Sequence, residues 1–146
     1  MADRKRLLVV EDDAYYCRWL DAVLKHPEVE IQYASNGVEA IAHARRWMPH
    51  VILLDAVLPG MDGFAAFRLL RQDDVLRTIR VIMMSGEAQE GALAMARDLG
   101  AWATLRKPMA PKHARRKVYE ALSVTADGPA PKVPDPGEEG PGTDLA

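Results

Sequence analysis

Three observations predict a doubly wound α/β fold, one five-stranded parallel sheet with helices on both faces. Five short runs of β-branched and leucine-rich residues, at 7–10, 29–33, 51–54, 81–84 and 101–105, alternate with stretches of helical periodicity. Strands spaced in this way need crossover connections, and a parallel sheet covered by helices is the economical arrangement that supplies them. The third observation is size: 146 residues, 49% of them hydrophobic, suffice for one domain with a genuine core.

Each element has its own signal. The first strand is followed by the acidic run Glu11, Asp12 and Asp13. The first helix presents Tyr16, Trp19, Leu20 and Val23 at spacings of three and four, and Pro27 stops it. After the second strand, Asn36 caps a helix with Glu39 three residues on; Val38, Ile41 and Trp47 are expected to face inward before Pro49 ends it. The third strand closes on Asp55, and the third helix runs from Phe64 through Phe67 and Leu70. The fourth helix carries Leu93, Met95, Ala96 and Leu99 ahead of Gly100, the residue type favoured just past a helix end. The fifth begins near Pro111, a permitted first-turn position, and sets Ala114, Val118 and Leu122 on one side. Beyond Thr125 the texture changes: residues 126–146 hold half of the ten prolines and almost nothing to bury. That segment is expected to be a disordered acidic Pro/Gly-rich tail behind a domain at 1–125.

Composition excludes several classes. No apolar run approaches the roughly 18 residues of a membrane span, and the start MADRKR leads directly into a strand, so a cytoplasmic protein without a membrane partner is expected. The single cysteine, Cys17, rules out an intramolecular disulfide, and no Cys/His cluster has zinc spacing. From residue 127 onward five acids against one lysine balance to −4, so the formal net charge of −2 leaves +2 for the rest. Such a mild excess makes no electrostatic case for nucleic acid. The runs Arg4, Lys5, Arg6 and Arg115, Arg116, Lys117 read as solvated surface.

In a parallel α/β sheet, ligands sit outside the carboxyl ends of the strands. The residues there are mostly charged: Glu11, Asp12 and Asp13 after the first strand, Asp55 after the third, Ser85 and Gly86 after the fourth, Lys107 and Pro108 after the fifth. Taken singly, Asp12 or Asp13 reads equally as a helix cap and Ser85-Gly86 as a turn. Asp55 is harder to dismiss, because apolar residues on both sides bury it in part. Crowded acids raise one another's pKa unless positive charge intervenes, and Lys107 with a divalent cation would supply it. Oxygen ligands without histidine, few enough to leave room for water and phosphate, suit magnesium.

These residues stand in four motifs, LLVVEDD at 7–13, LLDAVLPGMDG at 53–63, MMSG at 83–86 and Lys107-Pro108, and over about residues 5–123 the chain resembles the receiver domains of two-component response regulators. The resemblance implies a flavodoxin-like strand order 2-1-3-4-5, with Asp55 as phosphoacceptor, Asp12 as a direct Mg2+ ligand, Glu11 helping to hold the ion and the Val57 main-chain carbonyl as a further ligand. It makes Ser85 the hydroxyl that binds the phosphoryl group and Lys107 the lysine that pairs with it, with a cis bond before Pro108. Asp13 falls one position past the acidic pair and reads as a cap. The implied partner is a sensor histidine kinase or histidine phosphotransfer protein, and the implied role is that of a stand-alone bacterial signalling phosphoacceptor rather than an enzyme.

The chain departs from the family pattern at the switch position three residues before the lysine, where Thr104 replaces an aromatic ring. Trp102, two residues earlier, is expected on the same strand face and offers an alternative route for output. Met109 replaces a phenylalanine, a milder change. Output is expected through the fourth helix, fifth strand and fifth helix, including Arg97, Trp102, Arg115 and Arg116, toward an unidentified protein target, a phosphorelay or a second copy. Thr104 also keeps open a receiver-like interaction module whose output does not depend on phosphorylation. An aspartate-nucleophile phosphatase would want a second acid at Val57, and a flavin binder would want a neutral phosphate loop where Glu11, Asp12 and Asp13 stand.

Overall fold

The computed structural model describes residues 3–86 and 91–125; the expected tail at 126–146 lies outside the described residues. The elements alternate as β1 (Lys5–Val10), α1 (Ala14–Leu24), β2 (Val29–Ala34), α2 (Gly37–Trp47), β3 (Val51–Asp55), α3 (Gly63–Gln72), a short 3-10 turn (Leu76–Thr78), β4 (Arg80–Ser85), α4 (Ala92–Asp98), β5 (Ala103–Arg106) and α5 (Pro111–Leu122). The five strands form one sheet in the order β2-β1-β3-β4-β5, and every neighbouring pair is parallel. The doubly wound fold and its 2-1-3-4-5 order are therefore as expected. Among the described residues no helix is long and apolar enough to cross a membrane.

Period-two alternation divides the core. Leu7 and Val9 face one side of the sheet with Tyr16, Trp19 and Leu20 of α1 and Ala114 and Val118 of α5. Leu8 and Val10 face the other, with Ala40 and Ala44 of α2 and Phe67 and Leu70 of α3. A strand buried on both faces has to be apolar throughout, which is why LLVV carries no polar residue. The helices α1, α2 and α3 start at side-chain caps. Asp13 Oδ1 accepts the Tyr15 and Tyr16 N–H groups at 2.9 and 3.3 Å, Asn36 accepts Glu39 N–H at 2.8 Å, and Asp62 accepts Ala65 N–H at 2.8 Å.

Three expectations fail for physical reasons. Val38, expected inward, is 65% exposed, because α2 buries the small residues Gly37, Ala40 and Ala44 instead. Close approach of the loop before α3 selects for size rather than hydropathy here: a Cβ on Gly37 would lie 2.9 Å from the Met61 carbonyl oxygen. In α4, likewise, Ala92 and Ala96 are buried and Met95 is exposed. Arg6 is not simply solvated either. Its guanidinium donates to the Met48 carbonyl at 2.7 and 3.0 Å, where α2 ends in a left-handed residue at φ 51°.

His50 extends the β1 pairing just before β3. Its Nδ1 accepts the Arg6 N–H at 3.0 Å, and its own N–H donates to the Arg6 carbonyl at 2.9 Å. An accepting Nδ1 must be unprotonated, and burial first, then the Arg6 and Lys5 charges, hold the His50 pKa below its ordinary 6.5. The unfolded chain therefore binds this proton more readily, so the contribution to stability is full above about pH 6.5 and is lost as the pH falls below it. We expect the urea midpoint of the wild type to fall more steeply between about pH 7 and about pH 5 than that of His50→Gln, as followed by circular dichroism.

Candidate functional site

β2 and β3 flank β1 on opposite sides, so the connections leaving the ends of β1 and β3 diverge and open a crevice at the carboxyl edge. Glu11, directly after β1, and Asp55, the last residue of β3, are buried there at 3% and 5% exposure, while Asp12 is exposed. One carboxylate oxygen from each of the three lies within 4.8 Å of the others. Lys107 follows β5 and places Nζ 2.5 Å from Glu11 Oε1 and 2.7 Å from Asp55 Oδ2. Backbone donors take the other two oxygens: Asp13 N–H reaches Glu11 Oε2 at 3.2 Å, and Val57 N–H reaches Asp55 Oδ1 at 3.1 Å. Ser85, 1% exposed at the end of β4, donates its hydroxyl to the Gly86 carbonyl at 3.2 Å and accepts the Lys107 N–H at its own carbonyl at 2.8 Å.

The electrostatics of this cluster favour a cation. Burial pushes the Glu11 carboxyl up to about 8; Lys107 pulls it back, and the Asp55 charge raises it again. Burial also works against the charge of Lys107, but Asp55 and Glu11 together outweigh it and hold the lysine above its ordinary value. The ammonium reaches two of the three carboxylates, Glu11 and Asp55, and the cluster otherwise offers oxygen donors only. Three carboxylate oxygens this close could hold a metal ion, and an all-oxygen donor set suits a hard divalent one. The cluster opens onto a groove of about 980 Å³ along α1 and the end of β2, lined in part by Cys17, Arg18, Asp21 and Tyr33. Burial and then the Glu11 charge push the Cys17 thiol up to about 11.

The loop after β3 folds back tightly on the site. Pro59 leads into Gly60 at φ +75°, and Gly63 returns to donate its N–H to the Ala56 carbonyl at 3.0 Å. A Cβ at Gly63 would lie 2.0 Å from the Asp55 carbonyl oxygen, so this glycine lets α3 start against the backbone of the acid. The Lys107–Pro108 peptide is cis and Met109 is buried. Asp13 is the helix cap.

The remaining sequence candidates are spread along β5. Thr104 is half-buried and pairs in register with Met83. Trp102 precedes the strand, donates its N–H to the Val81 carbonyl at 2.8 Å and lies with its ring 5.5 Å from the Arg80 guanidinium. Ser85 pairs with Arg106 at the other end of β5, so Trp102 stands at the end of the strand away from the acids. Sequence reading missed one neighbour of the site. Tyr16, assigned only to the core, lies with its ring centroid 4.4 Å from Lys107 Nζ. Nothing in a helical apolar spacing distinguishes such a residue from ordinary packing.

The response regulator receiver domain family matches residues 7–119. The chain belongs to this family. Among receiver-domain proteins, the DNA-binding response regulator MtrA of Mycolicibacterium paratuberculosis is 31% identical over 127 residues, covering 87% of this chain and 55% of that protein. The response regulator PleD of Caulobacter vibrioides is 38% identical over 104 residues, covering 71% of this chain and 23% of its own length. The chain thus spans about half the length, or less, of these curated relatives. The receiver domain of a signal transduction histidine kinase from Syntrophus aciditrophicus superposes with a TM-score of 0.74 at 26% identity, covering 88% of this chain and 98% of that one. That of sensor histidine kinase PA1611 from Pseudomonas aeruginosa gives 0.74 at 24% identity, covers 83% and 99%, and holds a magnesium ion in its active site cleft.

The close approach at Gly63 sets an energetic expectation for this receiver domain. Gly63→Ala should lower the stability by about 3 kcal/mol, the upper end of ordinary overpacking, because backbone rather than a flexible side chain meets the added methyl. Urea denaturation measures it.

Proposed function

We propose that this receiver domain is a phosphorylation switch in which Asp55 accepts a phosphoryl group from a phosphohistidine on a sensor histidine kinase or histidine phosphotransfer protein. The observation that carries this reading is the 2.7 Å contact of the Lys107 ammonium with Asp55 Oδ2 inside the acidic cluster. Glu11, Asp12, Asp55 and the Val57 main-chain carbonyl would hold Mg2+, as the all-oxygen donor set suits. Bound there, the ion supplies neutralisation of phosphoryl and carboxylate charge.

This chain's own residues supply position. Val57 N–H and Lys107 hold the two Asp55 oxygens, fixing the carboxylate that must act as nucleophile. An Asp55 oxygen forms the O–P bond as the P–N bond to the donor imidazole breaks, and that electron pair stays on the ring nitrogen. Asp55 loses its negative charge as the acyl phosphate forms. Lys107 then pairs with the new phosphoryl oxygens, and the Ser85 hydroxyl turns from the Gly86 carbonyl toward them.

The modification adds about −1.5 to −2 charges beside Lys107 and Ser85. Drawing Ser85 inward biases the surface of α4, β5 and α5, where Thr104 offers a small hydroxyl at the switch position and Arg97, Trp102, Arg115 and Arg116 face a downstream protein, a relay partner or a second copy. The setting implied for such a bacterial regulator is cytoplasmic.

Intact-mass analysis after incubation with Mg2+ and phosphoramidate tests the reading. The wild type should gain the mass of one phosphoryl group, while Asp55→Asn, or the wild type with excess chelator, should gain none. An unmodified wild type would instead favour the receiver-like interaction module that Thr104 suggests.

A further inference from the structure

Lys107 Nζ is enclosed by three neighbours. Two are the Glu11 and Asp55 carboxylates, and the third is the Tyr16 ring, whose centroid lies 4.4 Å away. Tyr16 is 3% exposed and stacks on Trp19, with ring centroids 5.5 Å apart and planes 9° from parallel, so the ring is a fixed floor beneath the ammonium. Asp13 Oδ1 accepts the Tyr16 N–H at 3.3 Å, which ties the ring's position to the start of α1. The Tyr16 hydroxyl has no partner among the described residues, so the ring rather than the oxygen carries the contact.

These neighbours differ in what becomes of them during the reaction proposed above. Asp55 gives up its charge on becoming an acyl phosphate, and the oxygens of Glu11 are shared with the cation cluster. The ring is neutral, is no ligand for a hard ion, and keeps the negative face that attracts an ammonium. We infer that Tyr16 is a positioning residue for Lys107, anchoring its ammonium over the phosphoacceptor by cation–π attraction while the carboxylates that also hold it change partners. The inference rests on reading Lys107 as the partner of the phosphoryl group.

The test compares the full chain as wild type, Tyr16→Phe and Tyr16→Leu, with Tyr16→Met as a second apolar filler should leucine disturb the fold. The first readout is the proton resonance of the Lys107 ε-methylene group, recorded without any phosphodonor. It should be shifted upfield by the ring in the wild type and in Tyr16→Phe, and should return to the ordinary lysine position in Tyr16→Leu. The second is the rate of adduct formation with phosphoramidate at saturating Mg2+. Tyr16→Leu should be slower by about tenfold and Tyr16→Phe within about twofold of the wild type, because phenylalanine keeps the π face and leucine does not. A wild-type rate in Tyr16→Leu, an unshifted resonance in the wild type, or an equal loss in Tyr16→Phe and Tyr16→Leu would each overturn the inference. A wild type that accepts no phosphoryl group overturns the phosphoacceptor reading instead, and the resonance still decides whether the ring holds the ammonium.

Discussion

A single ammonium group holds the carboxyl edge of this sheet together. Lys107 Nζ joins Glu11, 96 residues away in the chain, to Asp55, 52 residues away, and so ties the ends of β1, β3 and β5 to one point. Both acids are almost fully buried, and two like charges brought out of water side by side would be strongly unfavourable without it. Removing one partner of a buried ion pair typically costs about 3 to 5 kcal/mol, because the charge left behind has lost its water. Even with the lysine in place, burial and the neighbouring Asp55 charge hold the Glu11 carboxyl up at about 8. A hard cation bound among these oxygens would add the positive charge that lets Glu11 ionise beside Asp55.

The three consecutive acids after β1 show how local geometry divides labour among identical chemistry. Glu11 continues the direction of the strand into the crevice and is buried; Asp12 lies at its rim and is exposed; Asp13 turns back to cap α1. By capping the helix, Asp13 also sets where Tyr16 sits, and Tyr16 forms the floor beneath Lys107. A strand end and a helix start within six residues are thus coupled to the lysine that follows β5. On the β3 side, Gly63 does comparable work by permitting α3 to begin in contact with the Asp55 backbone.

The far end of β5 is built differently. Trp102 lies beside Arg80, whose guanidinium also donates to the Ala121 carbonyl of α5 at 2.8 Å. That trio fastens the start of β4, the approach to β5 and the end of α5. Thr104 lies between this anchor and Lys107, half-buried and opposite Met83. Movement of Ser85 at the acid end would therefore meet a small side chain before it met an aromatic one.

Much of this was legible in the residues themselves. Alternating apolar runs dictated a parallel sheet, Asp13 and Asn36 announced helix starts, and four motifs at strand ends marked the acids, the hydroxyl and the lysine. These signals are local, since they depend on backbone periodicity and on side chains that bond their own turn. What tertiary structure alone decided was which neighbours each residue met across the fold. Val38 is exposed because α2 turns glycine and alanine inward; Arg6 is pinned because Met48 ends α2 beside it; Tyr16 touches Lys107 because α1 packs beside α5, the helix that follows the lysine. Such contacts join positions far apart in the chain, and their energies depend on distance and burial in three dimensions, quantities that spacing along a sequence does not contain.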